Sequence, residues 1–330
     1  MPDITILTEA ELRALVPLDL AAVDCVEQGF AALAGGTVAM PPIMSMAIPE
    51  NNGEVDVKTA HITGAESFAI KVSPGFFDNP KLGLPTTSGL MVVFSARTGQ
   101  VEAVLLDNGY LTDIRTAAAG AVAARHLARK DASTVAVIGA GMQARLQLRA
   151  LTLVRPISRA VIWARDADKA RAAADALCQE LGIEVRAGSD AAGAVSRADI
   201  VVTTTPATAP VLMADWLQPG QHVTAMGSDQ EHKNELEPAC LSRATLYVPD
   251  RRSQTELLGE LRAALQCGVC APEQSFPELG DIVTGSLPGR QADSDITIAD
   301  LTGTGVQDTA IATLARQRAQ DRGSGAVISA

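Results

Sequence analysis

Six consecutive residues carry the first chemical signal in this chain: Gly139, Ala140, Gly141, Met142, Gln143 and Ala144. They spell G-x-G-x-x-A. A short apolar run, Val135 to Ile138, precedes them with strand-like composition, and a run rich in Leu, Ala and Arg that reads as helix follows. In that context each small residue has a task. Gly139 permits a tight turn, Gly141 lets the backbone approach a pyrophosphate, and Ala144 lets helix and strand pack closely. The helix then directs its free N–H groups and positive dipole end at the phosphates. A dinucleotide site is the reading; a Gly-rich turn of a parallel sheet without a ligand is the alternative. The next strand addresses the adenosine end. An acid at its tip would bond a ribose 2′-hydroxyl, but Ala164 stands there, followed by Arg165 and Asp166. That arrangement favours NADP over NAD, unless Asp166 bends back. Further on, Asp229 in AMGSDQEHKNE lies just past the carboxyl end of an expected strand, where parallel sheets bind ligands. A carboxylate there can hold or transfer a proton; a turn aspartate capping the next helix is the plainer reading. His232 is the histidine placed to reach such a site.

The elements that would position these residues can be read from their periodicity. After Ser133 strand and helix alternate, with strands expected at 160–163, 183–186, 200–204, 222–226 and 245–248. This is the pattern of a doubly wound parallel sheet, a Rossmann-type α/β unit. The chain before it reads differently. Thr8–Val16 and Leu18–Leu33 are expected helices, the first with a capping box between Thr8 and Glu11. Glu54–His61 alternates like a half-buried strand, Phe68–Val72 is another, and Leu90–Phe94 with Val101–Leu106 reads as a hairpin. Tyr110–Ala128 reads as one long Ala-rich helix. Residues 1–130 thus form an α+β unit with an antiparallel or mixed sheet. Helix 306–319 returns to it, so residues 1–130 and 306–330 make one discontinuous domain around a nucleotide domain at 131–305.

Bulk properties remove several function classes. The net charge of −11 over 330 residues opposes binding to nucleic acid or to an anionic membrane surface. No apolar run approaches the ~20 residues of a membrane span. The N-terminus carries Asp3, Glu9 and Glu11 without a basic segment, so it does not read as a signal peptide. Five cysteines, an odd number in scattered positions, read as reduced thiols in a cytoplasmic protein. Cys267-Gly-Val-Cys270 has no second ligand pair for a zinc site, so no metal is expected.

Three stretches considered together resemble one family. They are FAIKVSPGFFDNPKLGLPTTSGLMVVF (Phe68–Phe94), DNGYLTDIRTAAAGAVAARHLA (Asp107–Ala128) and VIGAGMQA (Val137–Ala144). This chain resembles the ornithine cyclodeaminase/mu-crystallin family of NAD(P)-dependent proteins, and within it the ectoine-utilisation branch, EutC. The resemblance covers nearly the whole chain. It implies a homodimer with a small amino or imino acid bound between the domains, over the nicotinamide. By match to the family motifs, Arg115 would hold the substrate carboxylate in a bidentate fork; without the motif, a solvated helix arginine is the better reading. Lys71, mid-strand in FAIKV, would be a substrate contact and catalytic group; an inward lysine there is costly unless paired, and an outward strand position is the alternative. Thr86 matches a hydroxyl position near the substrate, or is an ordinary loop threonine. Asp229 matches the catalytic aspartate of the cyclodeaminases, which would handle the substrate nitrogen. The Thr204–Pro206 turn, with Thr204 and Thr205, would pass the cofactor.

One departure stands out. The family usually places a second arginine before the strand containing Lys71, and here Met44 or Ser45 occupies that place. Half of the usual carboxylate clamp is therefore absent from its expected position. Three functions follow from the resemblance: an NAD(P)H-dependent imine reductase, of ketimine or iminosuccinate type; a cyclodeaminase-type ammonia-lyase that recycles NAD; and a NADP-dependent small-molecule binder.

Overall fold

The computed structural model describes residues 3–329. The chain divides into two units: residues 1–115 with 304–330, and residues 116–303. The first boundary thus falls inside a helix rather than at residue 130, and the second at 303/304 rather than 305/306. The reason is packing. Ala124 in the second half of that helix and Ala128 just past its end are buried in one apolar cluster with Val135, Val137, Leu148 and Ile162 of the nucleotide unit.

The first unit opens with strand β1 (Asp3–Thr8), then α1 (Glu9–Leu15) and α2 (Leu20–Ala34). Thr8 caps α1 in the expected box with Glu11. Next come β2 (Val38–Ala39), β3 (Met44–Ile48), β4 (Gly53–Ile62), β5 (Ser67–Phe76), β6 (Leu90–Ser95), β7 (Val101–Leu106) and the dividing helix α3 (Tyr110–Leu127). The second unit continues with β8 (Thr134–Ile138), α4 (Met142–Val154), β9 (Arg159–Trp163), α5 (Ala167–Leu181), β10 (Glu184–Ala187), α6 (Ala191–Val195) and β11 (Ile200–Thr203). It closes with β12 (His222–Ala225), α7 (Ala239–Arg243), β13 (Leu246–Pro249), α8 (Arg252–Thr255), α9 (Glu260–Gln266), α10 (Leu279–Thr284) and β14 (Thr297–Asp300). Helix α11 (Gly305–Arg322) and β15 (Ala326–Ser329) return to the first unit.

The first unit's sheet is mixed, in the order β15-β1-β7-β6-β5-β4-β2, with β3 also on β4. Strand side chains alternate between faces. On one face Ala69, Met91, Val93, Ala103 and Leu105 pack against Leu111, Ile114, Ile311 and Ala315 of α3 and α11. Helix α11 comes very close to β4: a Cβ on Gly305 would stand 2.3 Å from the Thr59 carbonyl oxygen. The Thr309 hydroxyl donates to the Ala60 carbonyl at 2.7 Å and accepts the Ala69 N–H at 3.2 Å. Helix α11 is thereby pinned across β4 and β5, so its first turn must face the side chains those strands send that way.

The second unit's sheet is parallel throughout, in the order β10-β9-β8-β11-β12-β14-β13. Its strands bury both faces. Val135, Val137, Val202 and Ile200 enter one apolar layer, while Ala136, Ile138, Val201 and Val223 enter the other. Both faces are covered by helices, which makes the doubly wound α/β fold.

Candidate active site

The G-x-G-x-x-A bend lies where β8 meets α4. Gly139 has φ of +128°, a conformation that disfavours any side chain. A Cβ there would sit 2.5 Å from Thr204 Oγ1 and 2.9 Å from the Thr204 carbonyl oxygen. The turn after β11 is therefore pressed against the bend, tied also by Thr204 N–H to the Ile138 carbonyl at 2.9 Å. Gly141 is exposed, with open space where a Cβ would be, and it caps α4 without any side chain bonded to the helix end. Ala140 is half-buried, Met142 exposed, Gln143 half-buried, and Ala144 fully buried under β8. Open space at Gly141 and an uncapped helix N-terminus fit a pyrophosphate. At the tip of β9, Ala164 is half-buried and Arg165 exposed. Asp166 turns the other way: its carboxylate accepts the N–H groups of Asp168 and Lys169 at 3.1 Å each, capping α5.

In the first unit Lys71 and Arg115 converge on one carboxylate, Asp308, in the first turn of α11. Lys71 Nζ is 3.3 Å from Asp308 Oδ2, and Arg115 Nε is 3.0 Å from Oδ1. All three are buried, so Lys71 takes the inward position on β5. Arg115 Nη1 also donates to Gln307 Oε1 at 3.2 Å. A guanidinium has enough N–H donors to hold these partners and an incoming carboxylate together. Lys58 of β4 stands directly opposite Lys71 in the strand pairing and is buried too. Burial, reinforced by the charges of Arg115 and Lys58 and opposed by Asp308, lowers the Lys71 ammonium to about 7. Burial would raise Asp308, but Lys71, Arg115 and Lys58 together hold it below the usual carboxylate range. Asp107 accepts the Leu111 N–H at 2.8 Å, starting α3, and burial raises its carboxyl.

Met44 and Ser45 are exposed on β3; Met44 pairs opposite Val57, and Ser45 Oγ donates to Asp56 Oδ1 at 2.5 Å. Thr86 is half-buried in the loop between β5 and β6, where its carbonyl accepts the Phe76 N–H at 2.8 Å. Asp229 follows β12 as expected. The next helix, α7, starts at Ala239 with Pro238 at its cap; Asp229 Oδ1 accepts Lys233 Nζ at 2.5 Å, and its side chain is 44% exposed. Thr205 is half-buried in the turn after β11, and its N–H donates to Glu235 Oε1 at 2.5 Å. His232 is exposed. Cys267 and Cys270 are free thiols, and among the described residues no group of three metal-ligating side chains occurs.

Residues 3–323 match the model of a single family, described as the ornithine cyclodeaminase/mu-crystallin family. The chain belongs to the ornithine cyclodeaminase/mu-crystallin family. Within it, the chain is 62% identical over 328 residues to an uncharacterised cyclodeaminase of Sinorhizobium fredii, covering 99% of each. It superposes on the Delta(1)-pyrroline-2-carboxylate reductase of Thermococcus litoralis, solved with NADH and L-proline, with a TM-score of 0.93 at 28% identity, covering 98% of this chain and 100% of that one. An archaeal alanine dehydrogenase, solved as a dimer with bound NAD, gives 0.92 at 34% identity, covering 99% of each chain.

Two contributors to the cationic cluster escape the family motifs. Asp308 sits in GVQDTA, where the sequence shows only a helix start. Its signal was the lone acid among small apolar residues in a helix first turn, where the dipole favours it. Lys58 lay in the alternating strand Glu54–His61, whose period placed it on one face without saying which.

Proposed function

We propose that this protein reduces α-imino acids with NADPH or NADH. The observation that carries the reading is the pair Lys71 and Arg115, buried and held on Asp308, in a chain that also has the dinucleotide bend at Gly139. The coarse class, an NAD(P)-dependent oxidoreductase acting on carbon–nitrogen bonds, is that of its family relatives. When bound, the nicotinamide supplies the hydride that reduces the imine carbon. Arg115 and Lys71 orient the substrate carboxylate, and Lys58 adds a cation on the same face in place of the missing arginine at Met44 or Ser45. Asp308 keeps the cations in place. Asp229 holds the nitrogen. Paired with Lys233, its carboxylate has further lone pairs that can accept an iminium or ammonium N–H. Thr86 lies on the loop that would border the substrate. The residues at 139–143, with Thr204 and Thr205, hold the nucleotide.

NADP is the preferred form in this reading. Asp166 is occupied as the α5 cap, which leaves exposed Arg165 at the β9 tip for a 2′-phosphate. The protein acts as a homodimer. Ile70, Val72, Val92, Phe94 and Val104 form a half-buried apolar row on the sheet face away from α11, and Phe68 stacks on Phe94 at 5.3 Å. Such a face suits a second copy. The likeness of Lys71–Pro85 to the ectoine-utilisation branch points to an imino acid from ectoine or hydroxyectoine breakdown, or to an iminosuccinate-like acid.

The second reading is a cyclodeaminase, which the name of the 62% identical relative supports. One assay separates them. Imines formed in situ from 2-oxo acids and amines are offered with each reduced cofactor. Imine reduction consumes the cofactor mole for mole; a cyclodeaminase releases ammonia from a diamino acid with no net cofactor change. No oxidation with any imine overturns the reductase reading.

A further inference from the structure

Two turns leave the carboxyl ends of adjacent strands β11 and β12. The first, Thr204–Pro206, is pressed against the Gly139 bend. The second, Gly227–Asp229, carries the carboxylate assigned to the substrate nitrogen. One side chain joins them. Glu235 is fully buried, and its carboxylate accepts three donors: Thr205 N–H at 2.5 Å on Oε1, and Thr203 Oγ1 and Gly227 N–H, each at 2.7 Å, on Oε2. The turns also touch directly, since a Cβ on Gly227 would lie 2.3 Å from the Thr205 carbonyl oxygen and 2.5 Å from Glu235 Cδ. Glu235 is itself held. Its N–H donates to Glu260 Oε1 at 2.9 Å, and Leu236 N–H to Oε2 at 3.0 Å. The same Glu260 carboxylate takes the Ser228 hydroxyl, one residue before Asp229. Asp300 in turn accepts the Glu260 N–H at 2.8 Å and the Tyr247 hydroxyl at 2.6 Å.

We infer that Glu235 is a positioning residue: resting on the assignment of Asp229 to the substrate nitrogen, its carboxylate fastens the Asp229 turn to the turn beside the nucleotide bend and so fixes where Asp229 stands relative to the bound cofactor. A hydrophobic replacement would bury two backbone N–H groups without acceptors. Glutamine keeps the shape but turns an N–H₂ toward at least one N–H donor, so the fastening opens on that side. Placement errors of about 1 Å at a reacting centre cost on the order of 10²-fold in rate.

The test is a double-mutant cycle with Glu235→Gln and Asp229→Asn, read as kcat, as the substrate KM and as nucleotide affinity from reduced-cofactor fluorescence. Glu235→Gln is expected to lower kcat by about 10- to 100-fold and to weaken nucleotide binding several-fold. The substrate KM, set by Arg115 and Lys71, should change little. If Glu235 acts through Asp229, the double variant is little worse than Asp229→Asn alone. Gly227→Ala leaves both carboxylates in place but forces the turns apart, and it should move kcat and nucleotide affinity in the same direction; it serves if Glu235→Gln fails to fold. Fully additive effects, or a folded Glu235→Gln with unaltered kcat, overturn the inference while leaving the imine-reductase reading intact. An Asp229→Asn variant with undiminished kcat instead overturns the assignment of Asp229, and the inference with it.

Discussion

Asp308→Asn removes the carboxylate on which two buried cations rest. Lys71 and Arg115 are only 3% and 7% exposed in their side chains, and Asp308 is 0%. Neutralising it leaves both cations without the charge that offsets their burial. Breaking a buried ion pair from one side costs ~3–5 kcal/mol. For a unit of this size each kcal/mol shifts the melting midpoint by ~2–4 °C, so a fall of roughly 10 °C is expected. The catalytic effect follows from the same geometry. Asp308 is the attraction that keeps the Lys71 ammonium as high as about 7, so without it Lys71 is neutral below pH 7 too, where the parent lysine is charged. Arg115 also loses its anchor at Nε. The substrate carboxylate then meets one loosened cation, and loss of a charge-assisted bond of ~1.5–3 kcal/mol raises KM by about 10- to 100-fold. Thermal unfolding followed by circular dichroism reads the first effect, and KM for an imino acid across pH reads the second. A midpoint within about 1 °C of the parent, together with an unchanged KM, refutes the reasoning.

Four further outcomes follow. Lys71 is charged below about 7 and neutral above, so KM for a carboxylate substrate should rise as pH climbs through neutrality, and Lys71→Met should abolish that rise; a pH-independent KM in the parent contradicts it. Its folded value lies below the unfolded one, so the same group makes stability increase with pH between about 7 and 10.5. Glu235 has the opposite sign. Burial, helped by Glu260, raises it from 4.5 to about 7, so its contribution is full below 4.5 and lost as pH rises through 7. Glu235→Gln should flatten that decline in melting temperature across the window, and an unaltered slope would count against the raised value. For the cofactor, Arg165→Ala should raise KM for NADPH by about tenfold, the scale of one charge-assisted bond, while KM for NADH stays unchanged. Equal effects on both would place Arg165 elsewhere.

Much of the fold was legible because its signals are local. The apolar run before Gly139 and the helix after it mark the nucleotide unit, and the β–α alternation gives its parallel sheet. The elements that escaped depend on distant partners. Strand β1 is six residues long and holds its place by pairing parallel to β7 and antiparallel to β15. Strand β15, the four residues Ala326–Ser329, takes its place by pairing with β1. Likewise β14 enters the parallel sheet between β12 and β13, an order that no local pattern states. The candidate residues show the same division. Gly139, Lys71, Arg115 and Asp229 stand out by motif and position, whereas Asp308 is 193 residues from Arg115 and becomes its partner only because α11 is laid across β4 and β5. Asp166 illustrates a choice that spacing leaves open. A carboxylate three residues past a strand can face a ribose or cap a helix, and hydrogen bonds from the N–H groups of Asp168 and Lys169 decide for the cap.

The central claim is hydride delivery to an imine carbon held by its carboxylate at Arg115 and Lys71. A single turnover with cofactor carrying deuterium at the reactive C4 position, followed by mass spectrometry of the product, tests it most directly. Imine reduction at this site yields an amino acid bearing deuterium on its α-carbon, in equal amount to the cofactor oxidised. An unlabelled amino acid, or ammonia released from a diamino acid with the cofactor returned to its starting state, would contradict it.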